Sequence, residues 1–153
     1  MLKVVWPGRT KDLLLSQLVQ EYAERIRHYV PFRLEETNAG RGSRPGAVAG
    51  MEGRRMLARL KSETPIVILD QEGHEMSSLV FSKWLDGRLT AGGPAGMAFL
   101  LGGHQGLSET VKARATQAIS LSRMTLTHEM VRVLFLEQLY RALTIIRGEN
   151  YHH

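Results

Sequence analysis

Apolar residues along the chain alternate between short unbroken runs and stretches spaced three and four apart. That pattern signals strands buried on both faces, interleaved with amphipathic helices. Residues 2–6 read as a buried strand. Between positions 11 and 29, Leu15, Leu18, Val19, Tyr22, Ile26 and Tyr29 fall at helical spacing, and Asp12 suits the positive end of a helix dipole. Residues 32–37 alternate as a second strand, and the stretch 38–50, with four glycines and Pro45, predicts a mobile loop before a basic helix over 51–61. Residues 66–69 form a continuous apolar strand, and Asp70, Glu72 and Glu75 read as a solvated turn. Ser77 or Ser78 caps a helix to about 86, and Gly87 with Gly92-Gly93-Pro94 breaks the chain before a strand at 97–101. Ser108 caps a helix over 109–118, and 119–121 is a last short strand. Thr127 caps a long helix from His128 to about Arg147, stopped by Gly148. The expected fold class is α/β: one domain over 1–153, with a mostly parallel sheet flanked by helices.

The last helix is unusual. Met130, Val131, Val133, Leu134, Phe135, Leu136, Leu139, Tyr140, Ala142, Leu143, Ile145 and Ile146 leave almost no polar face, so it needs cover on all sides. Either it is central within one chain or a second subunit covers its outer side, and the thin layers of a chain this short favour a homodimer. With 153 residues the chain needs no staple, and without cysteine it holds no disulfide, Cys-ligated zinc, iron–sulfur cluster or thiol nucleophile. The apolar start is too short for a signal peptide and no stretch approaches a membrane span, so a soluble cytoplasmic protein is expected, with no membrane partner. His28, His74, His104 and His128 lack metal-ligand spacing, and no metal is expected. Ser108 and Ser122 lack a nucleophile-elbow context, and Phe81 and Trp84 read as core.

The charge excess has an address. Segment 38–61 carries Arg41, Arg44, Arg54, Arg55, Arg59 and Lys61 against Glu52 alone, a net of +5 that equals the excess of the whole chain. Such a patch attracts polyanions, nucleic acid first among them; a solvated helix face would look the same.

Three places offer chemistry. The loop Leu100-Leu101-Gly102-Gly103-His104-Gln105-Gly106-Leu107-Ser108 follows a strand and opens a helix, where open α/β sheets put ligands. It matches neither the P-loop nor the dinucleotide fingerprint, and a plain tight turn is the alternative. The stretch from Leu121 to His128 has no glycine or proline, so packing and hydrogen bonds must fix its path; its main chain can read a flat heterocycle. The tail Tyr151-His152-His153 lies about 30 Å from that stretch across a helix of some 20 residues. Two such helices packed antiparallel would bring each tail beside the other chain's loop. A cofactor-free RNA-binding module and a nucleotide-phosphate binder at 102–106 remain the rival readings.

Together these blocks resemble a known family along nearly the whole chain. They are Val67-Ile68-Leu69-Asp70-Gln71-Glu72-Gly73, then Leu101-Gly102-Gly103-His104-Gln105-Gly106-Leu107, and Leu121-Ser122-Arg123-Met124-Thr125-Leu126-Thr127-His128-Glu129-Met130-Val131-Arg132-Val133. Glu137-Gln138-Leu139-Tyr140-Arg141-Ala142 and Arg147-Gly148-Glu149-Asn150-Tyr151-His152 complete the pattern. The order and spacing resemble the RlmH family, minimal SPOUT-class methyltransferases that methylate N3 of a pseudouridine in 23S ribosomal RNA. The resemblance implies a C-terminal trefoil knot over roughly 66–153, against the usual rule of unknotted connections. It also implies a homodimer acting on the ribosome and an S-adenosyl-L-methionine pocket built from the knot loops. Carried onto this chain, cofactor contacts fall on Leu69, Gly102, Leu121, Ser122, Arg123, Met124, Thr125 and Leu126.

Under the same resemblance, Tyr151 and His152 from the partner subunit's tail stand nearest the transfer step, with Arg132 and Arg141 orienting phosphate or base. Arg41, Arg44, Arg54, Arg55 and Arg59 would dock RNA. Two positions depart from the family pattern: Thr127 stands where relatives usually have proline, and His153 where they end in Arg or Lys.

Overall fold

The computed structural model describes residues 1–61, 63, 65–91 and 96–151. Five strands, β1 (Leu2–Pro7), β2 (Phe32–Thr37), β3 (Ile66–Glu75), β4 (Met97–Leu101) and β5 (Gln117–Ser120), form one sheet in the order β2-β1-β4-β3-β5, with every neighbouring pair parallel. The helices are α1 (Leu13–Arg27), α2 (Pro45–Leu57), α3 (Ser78–Ala91), α4 (Glu109–Arg114) and α5 (His128–Ile146).

Side-chain alternation along β1 shows how the layers divide. Leu2, Val4 and Trp6 join Val19, Ala23 and Ile26 of α1, Phe81 and Leu85 of α3 and Phe135, Leu136 and Leu139 of α5 in the larger core. Val5 points the other way, with Ile68 and Leu100, onto Met56 of α2 and Val111 of α4. A sheet covered on both faces needs unbroken apolar strands, and all six residues of β1 and all five of β4 are buried accordingly. Lys3, on the second face, is 2% exposed; its ammonium pairs with Glu63 and donates to the Arg59 carbonyl at 2.8 Å.

The caps expected at the helix starts are present. Asp12 accepts from Leu15 N at 3.0 Å, Ser77 from Val80 N at 3.2 Å, Ser108 from Val111 N at 3.4 Å and Thr127 from Met130 N at 3.4 Å. At the far end of α5, Gly148 takes φ +72°, the left-handed turn that stops a helix.

The helix α3 does not break at Gly87 as expected but runs through it to Ala91, because a glycine with its side free of neighbours costs a helix only modestly. Three further boundaries also differ from the sequence expectation. The first is α2, which begins at Pro45 inside the glycine-rich stretch: proline at N1 has no N–H to lose and its φ already suits a helix. The second is β3, which runs on through Asp70, Glu72 and Glu75 instead of turning. Leu69 and His74 both pair with Ile119, so the strand bulges between them, and Gly73 lies so close that a Cβ would come within 2.6 Å of the Ile119 carbonyl carbon. The third is α4, which stops at Arg114, and β5 starts at Gln117, because Thr116 N bonds to the Ile66 carbonyl at 2.7 Å and commits the chain to the sheet edge.

Candidate active site

The site lies at the carboxyl ends of β3, β4 and β5. Leu101 delivers the chain into the glycine turn, where Gly106 N donates to the Gly103 carbonyl at 3.0 Å and Gly106 adopts φ +74°. Gly102 faces that turn so closely that a Cβ would lie 2.8 Å from the Gly106 carbonyl carbon. Across from it, the loop after β5 is held by its own serines. The Ser120 hydroxyl donates to the Ser122 carbonyl at 3.0 Å, and Ser122 Oγ accepts from Met124 N at 3.0 Å. The glycine-free path expected to need packing and hydrogen bonds has both.

Between the two loops is a cleft of about 760 Å³, within the usual range for small-molecule sites. Leu69, Gly102, Leu121, Ser122, Met124, Thr125 and Leu126 line it. Arg123 does not: it is exposed, with Nε 3.5 Å from Glu75 Oε2 at the end of β3. The cleft also takes His104 and His128, whose rings stand 6.0 Å apart edge to face. Burial, and then the neighbouring Arg132 charge, push the His128 imidazole below its ordinary pKa, so it is neutral at pH 7.

S-adenosyl-L-methionine fits what these residues offer. Leu69, Leu107, Leu121 and Leu126 with glycine main chain supply apolar wall for a flat purine, and the main chain of 121–126 carries donors and acceptors for its edge. A neutral His128 adds no positive charge to repel a sulfonium. Of the charged side chains on the described wall, Asp70 and Lys112 stand together, Lys112 Nζ 3.0 Å from Asp70 Oδ2.

The expected RNA-orienting arginines behave differently. Arg132 is 0% exposed, donating to the Pro7 carbonyl at 2.6 Å and Thr10 Oγ1 at 3.0 Å. It therefore cannot orient a phosphate or base, and that expectation is corrected: its charge is spent inside the fold. Arg141 binds Glu137 through Nε at 3.0 Å and Nη2 at 2.6 Å, and reaches the Tyr151 carbonyl at 3.2 Å. Its guanidinium lies 4.9 Å from the centre of the Tyr151 ring, which also packs edge-on against Tyr140. Tyr151 is thus folded back beside Tyr140 and Arg141, roughly 18 Å along α5 from His128 at the cleft. One chain does not bring tail and cleft together. His152 and His153 lie outside the described residues.

In the basic segment Arg41, Arg44, Arg54 and Arg59 are exposed, whereas Arg55 is spent on the Asn38 and Ala39 carbonyls at 3.1 and 2.9 Å. Glu52, the lone acid there, is 5% exposed. Oε1 accepts from Gly40 N at 2.8 Å, and Oε2 has no partner and faces Gly103. Sequence reasoning gave Glu52, Asp70 and Lys112 no part in the site, reading Asp70 as part of a solvated turn and Glu52 only as the lone acid of the basic segment. A single carboxylate inside a run of cations was the available signal for Glu52. Asp70 and Lys112 left none, because their pairing depends on β3 continuing past Leu69. No cluster of three or more metal-ligating side chains occurs among the described residues, and no described helix is long and apolar enough to cross a membrane.

Comparison with known proteins finds relatives along nearly the whole chain. The chain is 42% identical over 152 residues to the ribosomal RNA large subunit methyltransferase H of Geotalea daltonii, covering 99% of each. It is 41% identical over 149 residues to the protein of that name from Porphyromonas gingivalis strain W83, covering 95% of this chain and 94% of the relative. Among solved structures, a probable methyltransferase from Bordetella pertussis superposes with a TM-score of 0.56 at 16% identity, covering 93% of both chains, which speaks for the fold alone. The family model described as predicted SPOUT methyltransferase matches residues 1–152, and the chain belongs to that family.

Proposed function

We propose that this protein transfers a methyl group from S-adenosyl-L-methionine to N3 of a pseudouridine in 23S ribosomal RNA, working in the cytoplasm as a homodimer on the ribosome. The observation that carries this reading is the cleft in which the glycine turn at 102–106 faces the serine-braced loop at 121–126. The relatives named as ribosomal RNA large subunit methyltransferase H match along almost their entire length. Residues 1–153 act as one domain, and the part from about 66 onward carries the family's trefoil knot.

When bound, the cofactor supplies an activated methyl on a sulfonium. The protein's work is therefore positioning. Leu69, Leu121 and Leu126 hold the nucleoside by apolar contact, and Gly102 lets the main chain approach without a Cβ in the way. His128 stays uncharged beside it. Tyr151 and His152 of a second copy reach the mouth of the cleft and order the target base, while main-chain dipoles stabilise the N3 anion and water takes up its proton. Exposed apolar side chains support the dimer: Leu13 is 79% exposed, Leu14 71% and Val80 50% on the helical face of α1 and α3. Arg41, Arg44, Arg54 and Arg59 meet RNA phosphates.

The test is transfer of labelled methyl to ribosomes from cells lacking this protein, followed by mass mapping of their 23S RNA. One new methyl on a pseudouridine is expected; label on another base, or none, refutes the reading.

A further inference from the structure

A cleft that holds an aminoacyl nucleoside must deal with two unlike ends, an aromatic base and a zwitterionic head group. The leucines and the glycine turn suit the first. The described wall offers only two fully charged side chains at pH 7, Asp70 and Lys112. Other cations near the rim are occupied: Arg123 faces Glu75 and does not line the cleft, and Arg132 is buried against Pro7 and Thr10.

The pair is built to present its ammonium. Asp70 Oδ1 accepts from Glu72 N at 2.9 Å, which fixes the carboxylate, and Oδ2 holds Lys112 Nζ at 3.0 Å. The side chains are 17% and 41% exposed, so Asp70 is mostly enclosed while the lysine head looks into the opening. An ammonium has three N–H donors, and this one spends one of them on Asp70. A free carboxylate entering the cleft finds in Lys112 the one permanent countercharge on this wall.

We propose that Lys112 binds the α-carboxylate of the cofactor's amino-acid end, with Asp70 positioning the lysine and receiving the α-ammonium. This rests on the cleft being the S-adenosylmethionine site, and it assigns the end of the ligand that the apolar slot leaves unexplained. It also accounts for β3 running past Leu69, since the bulged extension is what sets Asp70 opposite α4.

Calorimetry with two ligands separates the proposal from its rivals. S-adenosylhomocysteine carries the amino-acid end, and 5′-methylthioadenosine keeps the thionucleoside but lacks it. Lys112→Met should weaken S-adenosylhomocysteine about tenfold, the size of a lost charge-assisted hydrogen bond, and leave methylthioadenosine within about twofold. Lys112→Arg should recover most of the lost affinity. Equal weakening of both ligands would make Lys112 a pin between β3 and α4 and overturn the proposal. Unchanged binding of both would also overturn it, including where Lys112→Met weakens only RNA binding. If the wild-type protein binds neither ligand, the reading of the cleft falls as well, a result distinct from the others.

Discussion

Arg132 donates to the main-chain oxygen of Pro7 across 2.6 Å, fastening the first turns of α5 to the last residue of β1. Its guanidinium also lies 5.0 Å from the centre of the Trp6 ring, and among the described residues no carboxylate bonds to it. Nearby, Glu129 accepts from Lys11 N at 2.6 Å and Asp12 N at 3.1 Å, so the start of α5 is sewn to the entry of α1 as well. The loop that closes the cleft ends on this anchored turn, which is how a buried cation that does not line the cleft shapes the site.

Arg132→Ala strands the Pro7 carbonyl and empties the space over Trp6, so a loss on the order of 3 kcal/mol is expected in urea unfolding. Arg132→Met keeps the stem's packing and should lose less. An Arg132→Ala protein as stable as wild type would show that the two hydrogen bonds contribute nothing net.

Gly103 and Gly87 make a controlled pair. A Cβ at Gly103 would meet Glu52 Oε2 at 2.8 Å and Pro7 Cγ at 2.9 Å, both held in place, whereas nothing lies within 4 Å of one at Gly87 in α3. Gly103→Ala should displace the turn and weaken S-adenosylhomocysteine binding in calorimetry. Gly87→Ala should leave binding alone and raise stability by about 0.5–1 kcal/mol through helix propensity.

Acid should loosen the fold through His128. Its folded pKa is pushed below the ordinary value by burial first and Arg132 second. The unfolded chain therefore takes up this proton more readily, and stability falls as pH drops from about 6.5 toward the folded pKa. The lowered carboxyls of Asp70, Glu63 and Glu129 add their losses only further into acid, below the ordinary carboxylate range. His128→Gln should flatten the profile between pH 7 and 5 and leave the more acidic limb in place. A wild-type profile flat over that window would contradict the assignment.

Much of this was legible in the sequence because local chemistry fixed it. β4 was readable to the residue, since an unbroken apolar run between glycines has no competing period, and the caps at Ser108 and Thr127 were readable from side-chain type. The two loops of the cleft followed from strand-to-helix order. What could not be read depended on distant partners. β3 passes through three acidic residues because β5 holds its far half, and nothing near Asp70 announces that. Arg132 looked like a surface cation because an arginine in a helix usually is one. Only the approach of Pro7 and Thr10, more than 120 positions away, makes it internal.

The basic segment should show itself in salt. For each exposed arginine of the set Arg41, Arg44, Arg54 and Arg59 changed to Ala, the slope of log affinity for RNA against log salt should fall by about 1 wherever a phosphate contact is lost. Cofactor affinity should not change. Arg55→Ala should act on stability instead, because its guanidinium braces the Asn38 and Ala39 carbonyls.

If the tail of one copy serves the cleft of another, mixing two dead proteins should revive activity. A Gly102→Val chain lacks the cleft, and a chain cut after Asn150 lacks the tail. Their heterodimer keeps one complete site, and methyl transfer should return in the mixture. Confirmed heterodimers without activity would place tail and cleft in separate roles.

A crystal soaked with S-adenosylhomocysteine tests the whole account most directly. The ligand is expected between the 102–106 turn and the 121–126 loop, with its base against Leu121 and Leu126. Density at any other place on the protein, or a soaked crystal with that cleft filled only by water, would contradict it.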